Sequence, residues 1–331
     1  MIYKVSVIVP IYNVEKFIEK CVINLLEQTL SEVELIFVDD CTPDKSIEIL
    51  ESLIQQYPSR IPHVKIIRHE INKGLPAARN SGLKAATGEY VFHCDSDDWL
   101  EKYSLELLYN KAISDDADIV WCDWFLSFKD NERYMSQNAA LDFPITNFEA
   151  LKLLLGGQIK YNVWNKLVKL DLYKSNNIFF PEGYNMGEDM TMIKLFVHAL
   201  RVTYLTEALY HYMQINTNAY TKKIQPSHLG QILYNVDNVV EYIQNFFANK
   251  LDVYIHFFKL NVKLPFLISL DSMSYERWNE WYKDSNKYID QNPMFNIRTR
   301  WIQKAAIKRQ YWFLKLYNTL LIRVIYGIVY K

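Results

Sequence analysis

The sequence predicts an α/β fold: a mostly parallel sheet with helices on both faces, followed by a C-terminal helical region. Half of the 331 residues are hydrophobic, which is enough for a sizeable core. In the first 125 residues, short β-branched runs alternate with helical stretches, as expected for parallel strands joined by right-handed crossovers. Ligands of such sheets bind at the carboxyl ends of the strands, so functional residues are expected there.

Five short apolar runs, each rich in β-branched residues, are predicted to be buried strands. They are Val5–Pro10, Glu34–Asp39, Val64–Arg68, Tyr90–Cys94 and Asp118–Trp124. Between them we predict one helix capped by Asn13 and one capped by Thr42. Two further helices are predicted over Pro76–Ala86 and over Trp99–Ser114.

The change of pattern along the chain predicts three segments, at residues 1–115, 116–220 and 221–331. The first carries the strand and helix alternation, and the second has shorter helices and irregular loops. The third is helical in pattern, with Pro265 and Pro293 as expected breaks.

Composition and motif spacing exclude several classes of protein. The nine glycines form neither a GxGxxG fingerprint nor a P-loop. The four cysteines contain no CxxC pair, which indicates reduced thiols of a cytosolic protein rather than zinc ligands. Because no run of 18 uncharged apolar residues occurs, we expect no membrane-spanning helix.

Acidic residues follow two of the predicted strands. Asp95-Ser96-Asp97-Asp98 comes directly after a buried strand, where three carboxylates repel one another unless a cation is present. The alternative is a helix start, with Asp97 or Asp98 as its cap. Asp39-Asp40 ends an earlier strand of the same sheet, where turn chemistry is the alternative to ligand binding.

Two further segments carry charged residues suited to a site. Glu188 and Asp189 open a helix, where acids are favoured by the helix dipole but could equally supply a general base. The segment from Asn72 to Gly82 contains Arg79, which suits either a phosphate or plain solvent exposure. Its small residues allow a helix to approach the sheet closely.

Taken together, these motifs strongly resemble those of the family 2 inverting glycosyltransferases, which have the GT-A fold. The resemblance covers about residues 3 to 215. Its motifs are Val5–Asn13, Val38–Asp40, Asn72–Gly82, Asp95–Asp98, Trp164–Leu167, Phe180-Pro181 and Gly187–Asp189. Bacterial members with this second half build surface polysaccharides. The resemblance implies a nucleotide-sugar half over residues 1–115 and an acceptor half over 116–220.

The resemblance implies a donor site for a nucleoside diphosphate sugar, usually a UDP-sugar. Pro10, Tyr12 and Asp39 would hold the base. Asp95 would face the ribose or diphosphate, and Arg79 would lie by the nucleotide. The implied acceptor is a hydroxyl of a glycan or a lipid-linked glycan.

The resemblance also assigns residues to the cation and to catalysis. Asp97 would ligate Mn²⁺ or Mg²⁺, and Asp98 would lie near the donor sugar. Asp189 would be the general base with Glu188 in support, while Lys166 would help to place donor or acceptor. One displacement of this kind inverts the anomeric carbon, and the cation and base would stabilise its transition state.

The sequence departs from the family pattern at two positions. Cys41 stands where a glycine is usual after the paired aspartates, and Met213 where an arginine is usual. His211 is either a third ligand of the metal or a structural residue of its strand. Two other functions remain open, namely a sugar-phosphate nucleotidyltransferase and a catalytically inactive nucleotide-sugar-binding module.

The charge distribution singles out the C-terminal end. Residues 291–331 carry eight basic residues and no acidic one, so the preceding 290 residues have 29 positive and 38 negative charges. A body near −9 disfavours nucleic acid as a partner. The tail also places Trp301, Ala305, Trp312, Leu316 and Leu320 in one stripe, which suits the anionic inner face of the cell membrane. A helix packed on the body, with its lysines in solvent, is the alternative.

Overall fold

The computed structural model describes residues 2–137, 141–216 and 226–320. The chain divides into two compact units. One comprises Met1–Leu151 and Tyr161–Ile243, and the other comprises Lys152–Lys160 and Gln244–Lys331.

The described residues form nine strands and twelve α-helices. The strands are β1 Val5–Ile11, β2 Val33–Asp39, β3 Val64–Arg68, β4 Tyr90–His93, β5 Trp99–Leu100, β6 Ile119–Ser127, β7 Glu132–Met135, β8 Lys166–Lys169 and β9 Val202–Met213. The helices are α1 Ile18–Leu26, α2 Ser46–Gln55, α3 Leu75–Ala85, α4 Ser104–Ser114, α5 Asn147–Gly156, α6 Leu170–Ser175, α7 Thr191–His198, α8 Pro226–Phe247, α9 Asp252–Lys263, α10 Ser272–Glu280, α11 Ile297–Ile307 and α12 Tyr311–Leu320.

All nine strands form one sheet in the order β3-β2-β1-β4-β8-β6-β9-β5, with β7 beside β6. The four strands β3, β2, β1 and β4 are parallel, and β6 is parallel to β9. Strand β8 is antiparallel to both of its neighbours, β4 and β6. The strand order reverses between β1 and β4, which is where an open α/β sheet forms its ligand crevice. The predicted α/β class is confirmed.

Local sequence explains how α3 approaches the sheet. All seven residues of β1 are buried, as a strand covered on both faces requires. A Cβ added to Gly82 of α3 would lie 2.4 Å from Cγ2 of Ile8 in β1, so only glycine fits there. The predicted close approach of this helix is confirmed, and the approach fixes the position of Arg79, one turn earlier in α3.

Three predictions about helix starts were wrong. Helix α1 begins at Ile18, and Asn13 instead has φ +56° and donates its N–H to Thr42 Oγ1 at 2.8 Å. Helix α2 begins at Ser46, and Thr42 donates to Asp44 instead of capping the helix. Trp99 begins strand β5, because it pairs with β9, and the helix follows only at Ser104.

The second unit is helical and includes α9 to α12. The predicted breaks are confirmed, since Pro265 lies in the 3₁₀ turn that follows α9, and Pro293 precedes α11. Lys263 is fully buried and donates from Nζ to the carbonyls of Trp278 and Trp281, at 3.2 and 2.8 Å. Burial lowers the pKa of Lys263 to about 7. Within the described ranges, no helix has the length and hydropathy needed to cross a bilayer.

Candidate active site

Two consecutive aspartates, Asp39 and Asp40, lie at the end of β2, and their surroundings differ. Asp40 is 3% exposed, and its Oδ1 lies 2.7 Å from His69 Nδ1. The Asp40 oxygens also accept the backbone N–H groups of Lys73 and Gly74, both at 2.8 Å. Asp40 therefore fixes the loop that precedes α3. Asp39 is half-buried, and its side chain points to the opposite face because successive residues of a strand alternate.

The end of β1 lies beside that of β2. Ile11 pairs with Asp39 in the parallel ladder, so Tyr12 follows at the same edge of the sheet. Pro10 is buried, while Tyr12 is 48% exposed. The structure thus places Tyr12 and Asp39, two of the three residues predicted to hold the nucleotide base, at one edge of the sheet. The third, Pro10, precedes them within β1.

The turn Asp95–Asp98, which follows β4 and is called the acidic turn below, is held in place by hydrogen bonds to Asp98. This carboxyl is 1% exposed and accepts bonds from the Tyr210 hydroxyl and from the Met213 N–H, both at 2.7 Å. The Tyr210 hydroxyl also accepts the backbone N–H of Asp95 at 3.1 Å. Burial, reinforced by Asp97 and Asp95, raises the pKa of Asp98 well above its usual range. Both oxygens of Asp98 thus hold the turn in place.

Asp97 is the part of this turn that lines open space. Asn216 donates from Nδ2 to Asp97 Oδ2 at 2.7 Å. The residue borders a cavity of about 420 Å³, which Lys16, Lys20 and Trp99 also line. The Lys20 ammonium lies 3.1 Å from the centroid of the Trp99 ring, a cation–π contact.

The carboxylates of this turn fit a divalent cation only in part. Across residues 2–137, 141–216 and 226–320, no cluster of three or more His, Cys, Asp or Glu side chains is arranged to hold a metal. Asp97, with Asp95 two residues away, supplies hard oxygen donors of the kind that Mg²⁺ and Mn²⁺ prefer. These two side chains would supply only part of the ligand set of such a cation.

His211 has other partners. Its Nδ1 lies 2.8 Å from a Glu132 oxygen and its Nε2 lies 3.0 Å from a Glu101 oxygen. The ring is stacked between Trp99 and Phe125, with centroids 4.7 and 4.9 Å away. These contacts occupy both ring nitrogens, and they favour the structural role over the metal-ligand role.

Arg79 connects the acidic turn to a distant loop. The side chain is 2% exposed and donates from Nη2 to Asp95 Oδ1 at 2.9 Å and from Nη1 to Glu188 Oε1 at 3.2 Å. Its guanidinium carbon also lies 5.4 Å from the centroid of the Phe180 ring. One buried cation thus brings together a carboxylate from the turn after β4 and one from the loop before α7.

The loop that carries Glu188 and Asp189 turns sharply at Gly187, which has φ +86°, where glycine is favoured. Residues 188–190 then form one turn of 3₁₀ helix. Glu188 is 9% exposed, and Asp189 is half-buried. The structure therefore brings Asp95, Arg79 and the Glu188–Asp189 pair close together.

Lys166, the first residue of β8, lies near the acidic loop. It is fully buried and donates from Nζ to Asn162 O and to Asn165 Oδ1, both at 2.8 Å. Burial lowers the pKa of Lys166 to about 7, while the charge of Asp189 opposes this shift. Lys166 is thus close enough to interact electrostatically with the acidic loop.

Burial is the dominant influence on both acids of the loop. It raises the pKa of Asp189 to about 6 and that of Glu188 further, although the nearby Arg79 cation opposes both shifts. Lys166 also opposes the shift of Asp189, and Asp95 reinforces it. A carboxylate with a pKa near neutrality is suited to general base catalysis.

Sequence reasoning missed two residues that shape the site. Tyr210 connects Asp95 to Asp98, and Asn216 binds Asp97, from positions more than 110 residues later in the chain. Tyr210 sits in a strand rich in aromatic residues, and nothing in its local sequence distinguishes it from a core tyrosine. Only the pairing of β5 with β9 brings this region beside the acidic turn.

Known proteins with similar sequences show the family of this chain. Residues 6–176 match the family model described as Glycosyl transferase family 2. The uncharacterized glycosyltransferase EpsJ of Bacillus subtilis is 34% identical over 261 residues, which cover 78% of this chain and 71% of that protein. The cholesterol galactosyltransferase of Borreliella burgdorferi is 30% identical over 288 residues, covering 84% and 77%.

Among solved structures, residues 1–349 of S. aureus TarS in complex with UDP-GlcNAc have a similar fold. The TM-score is 0.69 at 21% identity, and the match covers 96% of this chain and 91% of that one. The sheet and its helices form a fold of the GT-A type, and the family match defines a glycosyltransferase. More narrowly, the chain belongs to glycosyl transferase family 2.

Proposed function

We propose that this glycosyltransferase moves a sugar from a UDP-sugar to a hydroxyl of a growing glycan, with inversion and with the help of a divalent cation. The observation that carries the proposal is the bridge from Asp95 through Arg79 to Glu188, which lies 109 positions after Arg79 in the chain. A donor-side carboxylate is thereby linked to the residue next to the candidate base, Asp189. A fold shared with a UDP-GlcNAc complex of TarS supports UDP as the nucleotide.

In the proposed donor site, Tyr12 and Asp39 contact the uracil from the adjacent ends of β1 and β2, with Pro10 beneath them. Asp95 faces the ribose or the diphosphate. Asp97 would hold Mn²⁺ or Mg²⁺, and a cation there would neutralise the charge that builds up on the departing diphosphate. Asp98 acts through the turn that it fixes. Residues 1–115 thus form the donor half, and residues 116–220 the acceptor half.

In the proposed reaction, Asp189 accepts the proton of the acceptor hydroxyl while the hydroxyl oxygen attacks the anomeric carbon. The bond from that carbon to the diphosphate oxygen breaks in the same displacement, so an α-linked donor gives a β-linked product. Glu188 and Lys166 keep Asp189 in place and set its charge. General base assistance of this kind typically contributes about 10²–10⁴-fold.

The first prediction tests the function itself. Incubation with UDP-glucose, UDP-galactose, UDP-N-acetylglucosamine or UDP-N-acetylgalactosamine is expected to release UDP from at least one donor. The release is expected with Mn²⁺ or Mg²⁺ and not with excess chelator. A coupled UDP assay and calorimetric UDP binding are the measurements.

Two other outcomes of that experiment identify the alternatives. Binding of UDP-sugars without any release would mean an inactive binding module. Release of pyrophosphate from UTP and a sugar 1-phosphate would mean a nucleotidyltransferase.

The proposal extends to peripheral contact with the inner face of the cell membrane through residues 291–331. Five large apolar side chains of α11 and α12 are more than half exposed, namely Ile297, Trp301, Trp312, Leu316 and Leu320. Six basic residues accompany them between 291 and 320, although Lys304 pairs with Asp290 at 2.7 Å. Exposed tryptophans beside basic residues suit an anionic bilayer surface. Residues 321–331, the end of the predicted tail, lie outside the described residues.

The predicted apolar stripe needs one correction. Ala305 is 6% exposed and packs into the core of the second unit, where Ala306 and Leu314 are also buried. One side of these helices is therefore packed, as the alternative prediction held, while the tryptophan side faces solvent. Removal of the whole tail would disrupt that core, so point substitutions are the better test.

We expect the protein to sediment with vesicles of equal parts phosphatidylglycerol and phosphatidylcholine, more weakly at high salt. Trp301→Ser with Trp312→Ser is expected to weaken binding at least about tenfold, since each change removes a large side chain from the interface. Tyr103→Ser, which changes another exposed aromatic residue, is the control. Equal sedimentation of the double variant and the wild type would contradict membrane contact through this surface.

A further inference from the structure

Two exposed tyrosines form a stacked pair in the first unit. Tyr184 and Tyr234 have ring centroids 3.7 Å apart and ring planes within 13° of parallel. Each ring covers one face of the other, yet Tyr184 remains 36% exposed and Tyr234 41% exposed. The mechanism described above uses neither ring. A partly exposed aromatic surface therefore lies outside the residues assigned to the donor site.

Hydrogen bonds from α8 hold the pair in place. Asn235 donates from Nδ2 to the carbonyls of Tyr184 and Met186, at 3.2 and 3.0 Å. Gln231, one turn earlier on the same face of α8, accepts the Met186 N–H at 2.9 Å. The loop is thus attached to the helix that carries Tyr234, and the stack is positioned by backbone bonds rather than by the rings alone.

The same loop carries the candidate base. Five residues lead from Tyr184 to Asp189, and an extended chain of that length spans at most about 18 Å. The sharp turn at Gly187 shortens this distance. The ring pair therefore lies within reach of a short oligosaccharide whose reacting hydroxyl is at Asp189.

The chemistry of the pair fits a sugar ring. A pyranose has an apolar face of C–H groups and a rim of hydroxyls, and flat aromatic side chains bind such faces at little entropic cost. The same loop also carries a polar side chain, Glu182, which lies two residues before Tyr184 and accepts a bond from Asn80 Nδ2 at 3.0 Å. We propose that Tyr184 and Tyr234 form an acceptor subsite that binds the face of a pyranose ring in the glycan acceptor. This inference rests on the proposed function.

The test is saturation-transfer NMR on the full chain with bound UDP. The probes are cellotriose and chitotriose, which have pyranose rings, and ribitol 5-phosphate, which has none. Saturation is expected to reach the C–H protons of a trisaccharide. Tyr184→Ala and Tyr234→Ala are each expected to weaken its binding about fivefold to tenfold, and UDP affinity is expected to stay unchanged.

Two further variants separate stacking from folding. Tyr184→Phe keeps the ring and is expected to bind the trisaccharide as the wild type does, and Tyr103→Ala is the exposed-tyrosine control. The proposal is overturned if neither trisaccharide binds the wild type, if only ribitol 5-phosphate binds, or if the alanine variants lose UDP instead. Because binding is measured without turnover, these results are independent of whether the UDP-release experiment succeeds.

Discussion

Replacement of Asp189 by asparagine is expected to lower the rate of sugar transfer by about 10²–10⁴-fold while leaving UDP affinity nearly unchanged. The amide keeps the size and polarity of the side chain, so the crevice is preserved. It cannot accept the proton of the attacking hydroxyl, so only base assistance is lost. Transfer that stays within about tenfold of the wild-type rate would show that another group is the base.

The pH profile gives a second measure of the same residue. Burial raises the pKa of Asp189 to about 6, so its carboxylate is increasingly protonated as the pH falls below that value. Wild-type kcat is expected to rise with pH through about 6 and then level off. The rise of kcat with pH below its plateau is the acid limb of the profile. In Asp189→Asn this acid limb is expected to disappear. Glu182→Gln, an exposed acid of the same loop, is the control and should keep the limb.

Replacement of Arg79 by methionine is expected to affect both folding and catalysis. The variant leaves the Asp95 and Glu188 carboxylates without the buried cation that they share, and loss of one partner of such a pair costs about 3 kcal/mol of unfolding free energy. The charge of Arg79 also holds down the pKa of Asp189. The acid limb of kcat is therefore expected to move to higher pH.

A conservative variant and a control distinguish positioning from general stability. Arg79→Lys keeps the charge and is expected to return the acid limb toward the wild-type pH. An ammonium cannot reproduce the planar geometry with which the guanidinium binds both acids. Arg60 donates from Nε to Leu26 O at 3.0 Å, and its pKa is lowered by burial. Arg60→Met should lower the denaturation midpoint without moving the pH profile. A wild-type profile in folded Arg79→Met would contradict the proposed electrostatic role.

The strands were predictable because their signal is local. The β-branched run Val64–Arg68 is a strand over those same residues, and the other four runs correspond to β1, β2, β4 and β6 with ends shifted by up to three residues. The helix starts were less predictable, since Asn13 and Thr42 have the right side chains for caps. Their oxygens and amides bond across two loops instead, and that competition depends on tertiary structure.

The site was predictable to the extent that it lies at strand ends. Asp39, Asp95 and Asp97 follow buried strands, so the sheet alone brings them to one edge. The functions of Asp98 and Tyr210 depend on β9, whose register with β5 has no signature in the local sequence. The same holds for Arg79. No feature of the local sequence distinguishes an arginine that is buried between two distant acids from an exposed arginine of a helix.

The paired aspartates at the end of β2 constrain how this strand can change in length. Asp39 points to one face and Asp40 to the other, where it holds the loop before α3. Insertion or deletion of a single residue within β2 would exchange the two side chains, since a slip by one reverses every face of a strand. A one-residue indel in β2 would therefore remove the Asp40 anchor of the loop before α3, and it would also move Asp39 away from the edge at which its contact with the uracil is proposed.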